Sequence, residues 1–249
     1  MSQKYPGGFI TKSPTLPSGS YETSPAKGIW TLDQAMQFKL QGNWPIVGNQ
    51  APPTVIGQAY GGGFYAGQIG VSSVATHYLV VGPLSTAQSN LAWKNALTNT
   101  PGADSDINGP QNTADMVADG NSTVYPCAHF CNDLSTGGQT DWYMPAKNEL
   151  EVCYFNLKLN TTANSTSSGI NPNAVPARAS NYTVGNPTQT TATDFQTLGS
   201  QAFEAIFYWC STDFNNNVDA RNQSFSYGGQ NYASKTGATR VRAIRRVAV

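Results

Sequence analysis

From Asp213 to Lys235 the chain reads DFNNNVDARNQSFSYGGQNYASK, a run of amides, hydroxyls and aromatic rings with little charge. Tyr and Phe offer large rigid contact area at small entropic cost, and Asn, Gln and Ser adapt their hydrogen bonds to the surface they meet. Flat rings beside amides also suit sugar rings. Phe214, Asn215, Asn216, Asn217, Asp219, Arg221, Gln223, Tyr227, Gln230, Asn231 and Tyr232 are therefore candidate ligand contacts, with Phe225 expected in the core. A solvated loop with its rings turned inward has the same composition, so both readings stand at this point.

Other residues have spacings that could carry different chemistry. Asp104, Asp106, Asn108 and Asp115 follow much of a calcium-loop pattern, with Gly109 at the sixth position. The twelfth position is Asp where the pattern wants the longer Glu, and no long helix enters the loop. A turn leading into a helix from about Gln111 to Ala118 explains the same residues. Cys127 and Cys131 lie one helical turn apart near His129, but no second pair completes a metal site. Buried reduced thiols are expected for these two and for Cys153 and Cys210. No metal and no cofactor are expected.

Catalytic patterns are missing. There is no Gly-x-Ser-x-Gly elbow, and neither His77 nor His129 has a nucleophile in a recognisable arrangement. Gly61-Gly62-Gly63 lacks the Gly-Lys-Ser/Thr of a phosphate loop and reads as a tight bend. Glu149 and Glu151 are two apart on a helix, so they face different ways. Arg240, Arg242, Arg245 and Arg246 could meet a polyanion, or pair with carboxylates such as Asp141 and Glu149. The expectation is a protein that binds and does not catalyse.

The scaffold around these residues is legible in outline. The chain has 249 residues, 14 basic against 14 acidic, and only 11% are charged, where soluble domains carry about 25%. Asn, Gln, Ser and Thr together make a third of it. Without a basic excess nucleic acid is not an expected partner. No apolar run approaches the length of a membrane span, so membrane insertion is not expected. Met1 to Gly19 has no apolar core of a secretion signal. Residues 1 to about 27 read as an extended Pro/Gly/Ser/Thr arm. Thr31 caps a short helix with Ala35, Phe38 and Leu40 apolar and Gly42 stopping it, bracketed by Trp30 and Trp44. Trp30, Phe38 and Trp44 are candidate anchoring residues, although core packing accounts for them equally well.

Further along, Thr54–Gly70 reads as a strand pair, His77–Val81 as a buried strand and Asn90–Leu97 as a short helix. Val124–Leu134 is a helix with Ala128, Cys131 and Leu134 on its apolar face. Leu150, Cys153, Tyr154 and Leu157 recur at helical spacing after an extended Asp141–Pro145. Thr161–Thr193 is a long ordered surface loop, Phe203–Ser211 a buried strand, and Arg240–Val249 a single closing strand.

Three segments carry a family resemblance: Asp141-Trp142-Tyr143-Met144-Pro145 through Glu149-Leu150, Tyr208-Trp209-Cys210-Ser211-Thr212, and Val241-Arg242-Ala243-Ile244-Arg245-Arg246. In that order they resemble the C-type-lectin-like domain found at the C-terminus of the Legionella collagen-like protein and in many phage and bacterial surface proteins. The resemblance covers about residues 54 to 249. Cys210 stands where the family usually has Ser, and Ala220-Arg221 where an Ala-Trp pair is common. The Glu-Pro-Asn and Trp-Asn-Asp motifs of animal C-type lectins are absent, so calcium-dependent sugar binding is not implied. The segment GIWTLDQ…GNWP is similar to one that recurs ahead of this domain in virion proteins of marine tailed phages.

The resemblance implies an α+β chain: an N-terminal arm and anchor over residues 1–50, and a C-type-lectin-like domain with an adaptable surface over 51–249. It implies a bacteriophage tail-fibre or other receptor-binding protein, assembled in the host cytoplasm and located on the virion. Other virion proteins would hold the arm, a host surface glycan or protein would meet the 213–235 segment, and fibre analogy makes the assembly a homotrimer. The alternative is a head-decoration or tail-connector protein without a ligand.

Overall fold

The computed structural model describes residues 16, 17, 19, 29–44, 50–214 and 216–249. Most of the expected arm, and Asn215 among the expected contacts, lie outside the described residues. The chain divides into two units, Met1–Pro52 and Pro53–Val249.

In the first unit, helix α1 (Leu32–Leu40) begins as its sequence requires. The Thr31 hydroxyl accepts from the Gln34 amide at 3.2 Å, and the Gln34 side chain accepts from the Thr31 amide at 2.9 Å. Trp30 packs edge-on against Phe38 at 5.4 Å and against Trp44 at 5.8 Å. The three candidate anchoring rings therefore bury one another in part. Left exposed are Leu32, Met36 and Leu40, spaced four apart on one stripe.

The second unit is α+β, built on two sheets. The first contains β1 (Ala59–Tyr60), β2 (Gly63–Val71), β3 (Val74–Val81) and β9 (Ile244–Ala248), in the order β1-β2-β3-β9 and antiparallel throughout. The glycine run is the β1–β2 bend, with Gly61 and Gly62 at φ 56 and 82°. A Cβ on Gly62 would sit 2.6 Å from the Gly137 carbonyl oxygen. The second sheet contains β4 (Gln88–Ala92), β5 (Phe207–Asp213), β6 (Asp219–Ser224), β7 (Gln230–Ser234) and β8 (Ala238–Arg242), ordered β4-β8-β5-β6-β7. Only the β5–β8 pair is parallel, through Tyr208 and Arg240.

Four helices fill the space around the sheets: α2 (Leu84–Ala87), α3 (Gly109–Asp119), α4 (Pro126–Asn132) and α5 (Lys147–Leu157). Helix α5 is the centre of one core. Its Leu150, Cys153, Tyr154 and Leu157 meet Ala66, Ile69, Leu79 and Val81 of the first sheet, and Tyr208, Cys210 and Phe225 from the second. Helices α3 and α4 close a second core with Met116, Cys127, Ala128 and Cys131 around Trp93, Trp142 and Trp209.

The structure corrects four expectations. Residues 90–97 form no helix: the helical turn is α2, and Gln88–Ala92 pair with β8 from Gln88↔Arg242 to Ala92↔Ala238. Ladder pairing there overrides a weak helical pattern. The closing strand is two strands, because Ala243 breaks the ladder. Its N–H donates to the Ala87 carbonyl at 2.8 Å and its carbonyl accepts from Gly82 at 3.0 Å, so the chain crosses from one sheet to the other. Phe203 is buried, but its strand starts only at Phe207. The 213–235 segment is a hairpin, β6 and β7 paired from Asp219↔Ser234 to Gln223↔Gln230.

The 161–193 segment holds no helix or strand up to the single 3-10 turn at Thr193–Phe195. Its fixed point is Glu151, fully buried, which accepts from Asn171 Nδ2 at 2.5 Å and the Tyr182 hydroxyl at 2.6 Å and pairs with Arg178.

Candidate ligand-binding surface

The surface is built where β5 ends. Asp213 and Lys235, the last residue of one strand and the first after another, form a buried ion pair at 2.8 Å. Lys235 Nζ also donates to the Thr98 carbonyl at 3.1 Å and the Asn216 carbonyl at 2.9 Å. An ammonium has three protons, and these acceptors use them all. The pair thus ties the turn after β5 to the end of β7. Within the turn, Asn216 Oδ1 accepts from the Val218 and Asp219 amides at 2.8 and 2.5 Å. Asn216 Nδ2 reaches Asp219 Oδ2 at 3.1 Å. These two side chains shape the turn.

On this frame three expected contacts come together. Arg221 and Tyr232 are direct partners in the β6–β7 ladder. The Phe214 ring stacks on Tyr232 at 4.1 Å with 22° between planes, and the Arg221 guanidinium lies 4.9 Å from the Phe214 centroid. Ring stacking plus a cation–π contact holds the group in one arrangement. Tyr232 nevertheless stays 56% exposed. Asn217 is exposed on the turn and Asn231 on β7, the latter on the opposite sheet face from Tyr232.

The remaining expected contacts are placed differently. Gln223 is 2% exposed, with Nε2 directed at the Tyr182 hydroxyl and the Gly228 carbonyl, both 3.4 Å away. It is an interior residue, because its place opposite Gln230 lies under the 165–182 segment. Gln230 is half-buried there, its amide donating to Ser168 Oγ at 3.0 Å. Tyr227 is exposed but stands at the opposite end of the hairpin, edge-on to Phe207. Phe225 is in the core, stacked on Phe203 at 3.9 Å. Among the described residues, Arg221 Nε, Asn222 Oδ1, Gln223 Oε1 and Gln230 Nε2 are buried polar atoms without a hydrogen-bond partner, all on this pair of strands.

The calcium-loop spacing does not produce a site. Helix α3 begins at Gly109, too early for the loop to curl around an ion. Asp106 pairs with Lys147 at 2.6 Å, Asn108 caps α3 through the Gln111 amide, and Asp115 accepts from Gln111 at 2.8 Å. Asp104 is not drawn into a group with them: no three His, Cys, Asp or Glu side chains among the described residues could hold a metal together.

The cysteines are free and buried. Burial pushes the thiols up, Cys210 to about 12 and Cys127, Cys131 and Cys153 further. The C-terminal arginines are structural: Arg240 pairs with Glu204, Arg245 with Asp141 and Arg246 with Glu149. Arg242 is buried, its fork on the Gly82 and Gln201 carbonyls, and burial lowers it to about 10. Glu149 also accepts from the Tyr143 hydroxyl and the Ala146 amide, and burial raises its carboxyl.

Two features escape sequence reasoning. One is Lys235, whose only signal is that it is the single lysine of a stretch poor in charge. The other is a cleft of about 490 Å³ lined by His77, Thr140, Asp141, Trp142 and Arg246 among others, assembled from segments far apart in the chain. Among the described residues no helix is long and apolar enough to cross a membrane.

Residues 84–245 match the family model of the Lcl C-terminal domain, a span containing all three motif segments up to Arg245. No curated protein matches the chain. That family comprises lectin-like surface-binding domains of phages and bacteria, and the chain, matched over well more than half its length, belongs to the Lcl C-terminal domain family.

Proposed function

We propose that the chain is a virion protein of a tailed phage, a fibre or other receptor-binding component, held on the particle by its N-terminal unit and meeting the host surface with the β5–β7 face. The observation that carries this reading is the Phe214–Tyr232–Arg221 group, rigid yet exposed at Tyr232. Rigid, exposed aromatic rings are what a recognition surface uses. A near-neutral setting favours recognition by shape and stacking over long-range steering. The host partner is a surface glycan or protein. The exposed Leu32, Met36 and Leu40 stripe suits attachment to another virion protein, since apolar stripes of this kind are normally covered. A homotrimer would multiply weak contacts into firm adhesion. The protein acts by binding, without catalysis or cofactor.

The test is localisation of the chain on intact particles, followed by host adsorption of particles carrying Tyr232→Ala, Asn217→Ala and Asn231→Ala together. Loss of adsorption with normal assembly is expected. Normal assembly with unchanged adsorption would overturn the reading in favour of a decoration or connector protein.

A further inference from the structure

The sheet edge beside this group has an unusual openness. In the β6–β7 ladder the Lys235 amide donates to the Val218 carbonyl at 2.8 Å and the Ser224 amide to the Gly229 carbonyl at 2.9 Å. With the register Arg221↔Tyr232, every second residue from Gly229 to Lys235 turns its backbone toward β6: Gly229, Asn231, Ala233 and Lys235. The backbone of Gln230, Tyr232 and Ser234 therefore points away from the sheet. The Gln230 amide is taken by Ser168 Oγ. The Ser234 carbonyl is taken by the Gly237 amide at 2.9 Å, and no described residue bonds the Tyr232 amide, the Tyr232 carbonyl or the Ser234 amide.

Exposed edges are normally blunted by charge, proline or a bulge, or covered. Strand β7, sequence QNYAS, has no charge and no proline. The edges of the first sheet are partly covered or short. Ile244 of β9 exchanges both backbone bonds with Tyr143, at 2.9 and 3.0 Å. Strand β1 is two residues long.

We infer that β7 is a strand-addition site that takes an extended, uncharged polypeptide segment of a host surface protein. The inference rests on the recognition reading of this face and names its partner class. A peptide backbone spaces its donors and acceptors so as to meet the Tyr232 amide and carbonyl and the Ser234 amide together, and a saccharide does not. The added strand would place one side chain beside Tyr232, where the Phe214–Tyr232 stack supplies an apolar contact. Little charge flanks the edge, and the Arg221 guanidinium is against the Phe214 ring, so charged segments gain nothing there.

Ser234→Pro is the discriminating variant. It removes an outward amide and leaves the β6–β7 ladder intact, since proline is tolerated on an edge when its nitrogen faces solvent. Uncharged dodecapeptides selected from a displayed random library on the immobilised full chain serve as probes, with N-methylation of alternate amides as a second arm on the unaltered chain. Each change is expected to weaken binding about tenfold or more, the equivalent of a lost hydrogen bond or two. Binding indifferent to both would overturn the inference. So would self-association of the chain that Ser234→Pro abolishes, which assigns the edge to a second copy. In host adsorption, loss with Tyr232→Ala but not with Ser234→Pro overturns strand addition alone. Retention with both overturns the recognition reading as well.

Discussion

The Lys235 ammonium lies 2.8 Å from the Asp213 carboxylate, and both side chains are buried. This pair joins the end of β5 to the residue that follows β7 and fixes the turn bearing Phe214. Deleting one partner of a buried pair leaves the other charge without solvent or counter-ion, which costs about 3–5 kcal/mol. Lys235→Met is expected to lower unfolding stability by that amount in urea titrations. The double change with Asp213→Leu should recover part of the loss. A cost below about 1 kcal/mol would mean the pair behaves like an exposed one.

Tyr232→Ala separates binding from folding. The ring is more than half exposed, so its removal forfeits the stack on Phe214, worth about 0.5–1.5 kcal/mol, and little else. Adsorption is expected to fall tenfold or more, as for an aromatic hot spot. Gln223→Ala should behave in the opposite way. It lies inside, so stability falls by about 1 kcal/mol while the exposed face stays intact. A binding defect in Gln223→Ala without loss of stability would contradict its placement.

Much of this architecture is legible in the chain. Helix α5 shows itself through Leu150, Cys153, Tyr154 and Leu157, and the Asp141 and Glu149 pairing of the C-terminal arginines follows from scarce opposite charges. What fails depends on distant partners. Gln88–Ala92 is a strand because β8 lies beside it, about 150 residues later in the chain. The break at Ala243 needs Ala87 and Gly82 to receive its backbone. Polar composition over 213–235 makes Gln223 an expected contact, yet it is covered by a segment that Glu151 holds in place. No local pattern carries such information.

Gly228 supports the turn between β6 and β7. Its φ is +76°, and a Cβ there would sit 2.3 Å from the Tyr154 ring. Tyr154 is itself buried and hydrogen-bonded to Asn164 Oδ1 at 2.7 Å, so it cannot swing aside cheaply. Gly228→Ala combines left-handed strain with overpacking and is expected to cost about 2–4 kcal/mol. Thermal unfolding checks this. An unchanged midpoint would show that the turn can relax away from α5.

The His77 imidazole is expected to make stability depend on pH. Burial lowers the imidazole pKa from its ordinary value, and the nearby Arg246 guanidinium lowers it further. The unfolded chain takes up this proton near pH 6.5, where the folded chain still resists it. Between the two values the unfolded state binds more protons, so stability rises with pH. The contribution is complete above about pH 6.5 and is lost as pH falls below it. His77→Asn removes the group while the carboxylates titrate as before. The melting temperature of the wild type should drop more steeply than that of His77→Asn between about pH 7 and pH 5. Parallel curves would show that the imidazole is as easily protonated in the fold as out of it.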